Sequence, residues 1–92
     1  MSEAGTVLER TPAARHAQAL ERLRWRSRRG LLELDIVLER FWARGAEMDE
    51  SDAAALERLL ALPDNDLLDL VMGRADTTET YLQPMLHRLR TV

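Results

Sequence analysis

From Ala13 to the C-terminus, apolar residues recur three or four positions apart, and glycine or proline cuts the recurrence into short blocks. That spacing lines apolar side chains along one face of a helix of period 3.6. Alternating β-branched runs, the mark of a half-buried strand, are missing. The pattern predicts an all-α chain folded as a small five-helix bundle with tight connections. A chain of 92 residues builds one core. The expected division is a flexible N-terminal tail over 1–12 and a single helical domain over 13–92.

The first block carries Ala14, Ala17, Leu20, Leu23 and Trp25 on or near one side. Gly30 is expected to end it, with Arg28 and Arg29 in or just after the last turn, where the helix dipole favours cations. In the second block, Leu31, Leu34, Leu38, Phe41 and Trp42 form a stripe that closes at Gly45. Asp49 is a candidate N-cap for the third, with Asp52 three residues on as an imperfect capping box. Ala55, Leu56, Leu59, Leu60 and Leu62 supply its core face. Pro63-Asp64-Asn65-Asp66 reads as a turn or helix start. A short fourth helix with Leu67, Leu68, Leu70, Val71 and Met72 then runs to Gly73. Thr77 or Thr78 is expected to cap the fifth, which carries Tyr81, Leu82, Met85, Leu86 and Leu89. Pro84 must fall in its first turn or bend it.

Several function classes drop out. Without cysteine there are no disulfides, thiolate metal sites or cysteine nucleophiles. No segment is apolar for long enough to span a bilayer, and Met1 to Thr11 holds no apolar signal core. Glu3 and Glu9 argue against a transit peptide, so the expected location is the cytoplasm. His16 and His87 show no metal-ligand spacing, and Ser2, Ser27 and Ser51 sit in no nucleophile elbow. The scattered glycines make no phosphate loop. Asp64-Asn65-Asp66 lacks the glycine and distal glutamate of a calcium loop. No catalytic residue and no metal ligand is assigned.

Charge is distributed unevenly. Residues 1–46 hold nine Arg against six acids, residues 47–92 four Arg against ten, and the net charge is −3. Arginine is the only basic residue type, so every cation is a planar donor suited to carboxylate or phosphate. Arg22, Arg24, Arg26, Arg28 and Arg29 crowd one short stretch. A solvated helix explains them, and so does an edge that meets an anionic protein surface or a cofactor phosphate. Nucleic-acid binding fits less well, because the chain is acidic overall, poor in aromatics, and fans these arginines around a helix.

Arg29-Gly30-Leu31-Leu32-Glu33 concentrates what remains. A structural account is available: a cation ends one helix, a glycine turns the corner, and an acid opens the next. The dipoles reward each charge by about 0.3–1 kcal/mol. At about 100° per residue, Glu33 points well away from the Leu34/Leu38/Phe41 stripe. Ile36 and Val37 flank Glu33, with Arg40 and Arg44 further along that side. Either another helix covers this side, or an apolar patch bearing charges faces a partner.

Arg29-Gly30-Leu31-Leu32-Glu33-Leu34-Asp35 resembles the RGxxE signature, with its Leu-Asp extension, of the succinate dehydrogenase assembly factors that promote covalent flavinylation. The segment from Leu59 to Asp69, Leu-Leu-Ala-Leu-Pro-Asp-Asn-Asp-Leu-Leu-Asp, is similar to that family's double-leucine, Asp-x-Asp-Leu segment. The ending Leu82 to Arg90 resembles its C-terminal helix. The resemblance runs from about Leu20 to Arg90, and it departs at Leu70, where the family often has tryptophan.

It implies a five-helix bundle that is not an enzyme but assists flavinylation of a partner. The implied partner is the flavoprotein subunit of succinate dehydrogenase, with that of fumarate reductase as a second client. The implied cofactor is the FAD of that partner, with none held stably by this chain. Nucleic acid and membrane insertion are not expected, and the expected state is a monomer or weak dimer. The implied partner-binding residues are Arg28, Arg29, Gly30, Glu33, Leu34 and Asp35. Ile36 and Val37 join them from the helical wheel. An alternative is an antitoxin-like protein-binding module of a toxin–antitoxin pair.

Overall fold

The computed structural model describes residues 11–45 and 47–92. Among these, five α-helices follow in order: α1 (Pro12–Arg26), α2 (Leu32–Ala43), α3 (Glu50–Leu60), α4 (Asp64–Val71) and α5 (Gln83–Arg90). A single 3-10 turn, Thr80–Leu82, feeds directly into α5. No strand occurs among the described residues.

The tail expected over 1–12 lies outside the described residues up to position 10. Its last two residues belong to α1 instead. Thr11 caps that helix, its Oγ1 accepting the Ala14 N–H at 3.0 Å, and Pro12 takes the first turn, where its missing N–H costs nothing. At the other end, α1 stops at Arg26 and not at Gly30. The Ser27 hydroxyl donates to the Leu23 carbonyl at 2.8 Å. The N–H groups of Ser27 and Arg28 close tight i→i−3 turns on Arg24 and Trp25, both at 3.2 Å. These bonds satisfy the terminal carbonyls early, so no left-handed residue is needed there.

The second and third helices follow the sequence pattern. Leu34, Leu38 and Phe41 are buried and Leu31 and Trp42 pack partly against them. The capping box of α3 is complete: Asp49 Oδ1 accepts the Asp52 N–H at 2.8 Å and Asp52 Oδ2 accepts the Asp49 N–H at 3.3 Å. A Schellman motif ends α4, with Arg74 N–H on the Asp69 carbonyl at 2.8 Å and Gly73, at φ +78°, N–H on Leu70 at 3.1 Å.

The entry to α5 differs from the expectation. Thr77 Oγ1 accepts the Glu79 N–H at 3.1 Å, which shapes the preceding loop without capping a helix. The chain then passes through the 3-10 turn, and Pro84 falls in the first turn of α5. The tighter winding turns Leu82 inward and leaves Tyr81, expected in the core, 51% exposed.

Helix α3 lies at the centre, against α1, α5 and the 3-10 turn, while α5 also packs on α2 and α4. Leu56, Leu59, Leu67, Leu86 and Leu89 are buried where these elements meet. Burying each such side chain fully contributes about 1.5–3 kcal/mol. Helix α1 is held lightly by comparison. Only Leu23 of that helix is buried; Ala14 and Ala17 are exposed, and Trp25 is 71% exposed. Two ion pairs, Arg26–Glu57 at 3.6 Å and Arg29–Asp64 at 3.0 Å, join the basic first half of the chain to the acidic second half.

Candidate partner-binding corner

The corner between α1 and α2 is built on Gly30 and Asp35. Gly30 has φ +79°, in the left-handed region that costs other residues a clash of Cβ with the backbone. Asp35, in the first turn of α2, reaches back beyond the helix start. Its Oδ1 accepts the Arg29 N–H at 2.9 Å and its Oδ2 accepts the Gly30 N–H at 3.2 Å. One carboxylate thus satisfies two consecutive amides and fixes the turn that Gly30 permits.

The Arg29 side chain locks the corner to a distant turn. Its Nε donates to Asp64 Oδ1 at 3.0 Å, its Nη2 to the Leu62 carbonyl at 2.9 Å and its Nη1 to the Arg26 carbonyl at 3.1 Å. Leu62 belongs to the α3–α4 connection and Asp64 is the first residue of α4; Pro63 between them offers no N–H and no side-chain cap. Asp64 opens α4, where the helix dipole also favours its charge. The Arg29 side chain is 13% exposed, whereas that of Asp64 is 42% exposed. The family resemblance makes Arg29 a partner-binding residue. In the structure its guanidinium already sits on a carboxylate of its own chain.

Glu33 behaves differently. It is exposed on the first turn of α2 and has no hydrogen bond or ion pair among the described residues. Beside it, Leu32 is 70% exposed and Ile36, one turn on, is 38% exposed. Val37 is half-buried and packs against the core. The two outcomes posed by the helical wheel therefore divide between neighbours: Val37 is covered and Ile36 is open. Leu34 is fully buried, so it supports the corner from beneath and has no surface to offer a partner.

Arg28 is exposed, with its guanidinium 5.3 Å from the centroid of the Trp25 ring. Arg24 lies over Trp42 at 5.9 Å. With Arg26 on Glu57 and Arg29 on Asp64, four of the five clustered arginines have partners within the chain. An open groove of about 740 Å³ runs along the corner, with Arg24, Arg28, Gly30, Glu39 and Trp42 on its walls. Trp42 Nε1–H donates to Ser27 Oγ at 2.9 Å, which ties α2 to the end of α1.

The model of the family described as flavinator of succinate dehydrogenase matches residues 21–92. The chain belongs to this family. The matched stretch contains the whole corner and both elements that brace it. Among curated relatives, the protein named FAD assembly factor SdhE of Ralstonia nicotianae is 55% identical over 56 residues, covering 60% of this chain and 59% of that protein. The chain thus spans less than two thirds of that relative's length. The proteins of the same name from Coxiella burnetii and Pseudomonas putida are 30% and 38% identical, covering 78% and 73% of this chain and 89% and 81% of theirs. No solved structure matches the chain.

Sequence reasoning missed Asp64 and Leu32 as parts of this site. Asp64 was legible only as turn chemistry, because its partner lies 35 residues away. Leu32 falls opposite Leu34 on the wheel, and that spacing is the signal that marks it as exposed. Among the described residues, no group of three or more His, Asp or Glu is placed to hold a metal ion. No helix among them is long and apolar enough to cross a membrane.

Proposed function

We propose that this chain is an FAD assembly factor. It binds the flavoprotein subunit of succinate dehydrogenase in the cytoplasm, as a monomer or weak dimer, and promotes covalent attachment of FAD to that subunit. The flavoprotein of fumarate reductase is a second client of the same surface. The cofactor arrives with the partner and is not held stably here. The chain is not itself the catalyst. The named relatives are assembly factors, and they lend no support to an antitoxin role.

One observation carries this reading: among the described residues Glu33 stands exposed without a hydrogen bond or ion pair, on a corner where Arg29, Gly30 and Asp35 are fixed by bonds within the chain. Arg29, Gly30 and Asp35 supply the rigidity, while Glu33, Leu32 and Ile36 supply the contact, with Arg28 at the edge. A surface held in shape before binding loses little conformational freedom on docking. Docking in turn favours the partner conformation that fits it. Covalent linkage then proceeds from an aligned arrangement of FAD and its acceptor side chain, in place of a search among many.

The test is in-gel fluorescence of covalent FAD in the flavoprotein subunit, with and without this protein. Covalent flavin is expected to fall on deletion and to return with the wild-type chain but not with Glu33→Ala, whose thermal midpoint stays near that of wild type. Unchanged flavinylation on deletion would refute the proposal.

A further inference from the structure

We propose that Asp64, on the α3–α4 turn, is a positioning residue for the partner-binding corner and acts through Arg29. This rests on the assembly-factor reading above. Asp64 itself need not touch the partner. Its carboxylate oxygen holds Arg29 Nε at 3.0 Å, and the neighbouring Leu62 carbonyl holds Nη2 at 2.9 Å. With the Arg26 carbonyl on Nη1 at 3.1 Å, these bonds hold the Arg29 guanidinium against the α3–α4 turn. The Arg29 N–H and the Gly30 N–H are in turn the two donors gripped by Asp35. Glu33 lies between Gly30 and Asp35 in the chain, so the first turn of α2 is pinned from both sides.

The arrangement transmits a long-range restraint to an exposed side chain. Helix α1 supplies part of it, through the Arg26 carbonyl that accepts from Arg29 Nη1 and the Ser27–Trp42 bond, but that helix ends at Arg26 and Leu23 is its one fully buried residue. Packing supports α2 from beneath, through Leu31 and Leu34, but Gly30 itself makes no side-chain contact, since a Cβ built there meets nothing within 4 Å. The bonds of Arg29 to Asp64 and Leu62 add the tie between the Arg29–Gly30 turn and the start of α4. A charge-assisted bond with one partner largely buried is stronger and more directional than a surface pair.

The experiment compares wild type, Asp64→Ala, Asp64→Asn, Asp64→Glu, Glu33→Ala and the double variant Glu33→Ala/Asp64→Ala. Each is assayed for flavoprotein affinity and for the rate of covalent FAD formation, at a temperature where circular dichroism shows every variant folded. Asp64→Ala is expected to weaken flavoprotein binding by roughly tenfold, the size of one lost charge-assisted bond. Asp64→Glu restores most of it, and Asp64→Asn falls between. In the double variant the losses do not add, because Asp64 works by presenting Glu33. Nitrogen–proton spectra of the free protein should show the Arg29 and Gly30 amides shifted in Asp64→Ala.

Wild-type binding by Asp64→Ala, with Glu33→Ala impaired, overturns this inference and leaves the assembly reading intact. Fully additive losses also overturn it, since they describe two independent defects. Wild-type behaviour of Glu33→Ala removes the reading of the corner and this inference with it.

Discussion

Substitution at Gly30 separates the structural role of the corner from its role at an interface. Gly30 has φ +79°, and a Cβ built there meets no heavy atom within 4 Å. Any L-residue at this position therefore suffers the left-handed penalty of about 1–2 kcal/mol and little else. For a domain of this size, that loss lowers the thermal midpoint by roughly 5–15 °C. Because the space is open, the cost hardly depends on side-chain size. Gly30→Ala and Gly30→Arg should melt together. Gly30→Asn should melt higher than either, since asparagine tolerates the left-handed region better.

Activity should separate the variants that stability does not. Gly30→Arg places a long cation at the corner, next to the proposed contact surface. Covalent flavinylation is expected to be lost with Gly30→Arg and largely kept with Gly30→Ala, both assayed below their melting points. Asp49→Ala provides a matched control. It removes the N-cap of α3 at a cost of about 1 kcal/mol, at the far end of that helix from the turn that Arg29 grips. It should keep activity. Two results refute the reasoning: Gly30→Ala and Gly30→Arg equally inactive, which makes the corner a matter of backbone shape alone, or Gly30→Arg melting far below Gly30→Ala, which denies the open space.

Two further perturbations test the frame around the corner. Ser27→Ala removes the oxygen that accepts from Trp42 Nε1–H at 2.9 Å and donates to the Leu23 carbonyl at 2.8 Å. The half-buried indole N–H then lacks a partner, which costs about 1–3 kcal/mol and shows as a lower midpoint in a thermal melt followed by circular dichroism. Asp76 offers a pH test. Its carboxyl is held below the usual carboxylate range, chiefly by the Thr77 N–H, then by the Gln83 side chain and the Arg90 cation. A depressed folded value means its contribution is present above the unfolded value and is lost as pH falls through the folded one. The acid limb of the stability curve, below about pH 4, should be shallower in Asp76→Asn; an identical limb would remove this group from the account.

Elements with a local cause were legible in the sequence. The stripe of α2 needs only its own periodicity, and the capping box of α3 needs only Asp49 and Asp52, three residues apart. The end of α1 was misplaced because two local signals compete there. Gly30 looks like a helix stop, but Ser27 finishes the helix first by bonding back to Leu23, and the glycine is left for the corner. Tyr81 was misassigned for a similar reason, since a helical period was carried through a 3-10 turn. The corner motif was visible residue by residue, yet the roles of its members were not. Nothing in Arg29-Gly30-x-x-Glu33 says that the arginine is spoken for by Asp64 or that the glutamate is free. That difference depends on a contact across 35 positions of chain.

This division of labour bears on both the structural and the functional account of the motif. Arg29, Gly30 and Asp35 are held by bonds within the chain, and on those grounds alone they are structural. Among the described residues Glu33 has no such bond, and its evident contribution to the fold is a favourable dipole term of about 0.3–1 kcal/mol. An exposed Leu32 beside it gains nothing from water. A chain selected only for stability has no use for this pair on the outside of its most heavily braced turn. A chain that must present one carboxylate and a small apolar ridge to a partner has use for both, and it needs the bracing for the same reason.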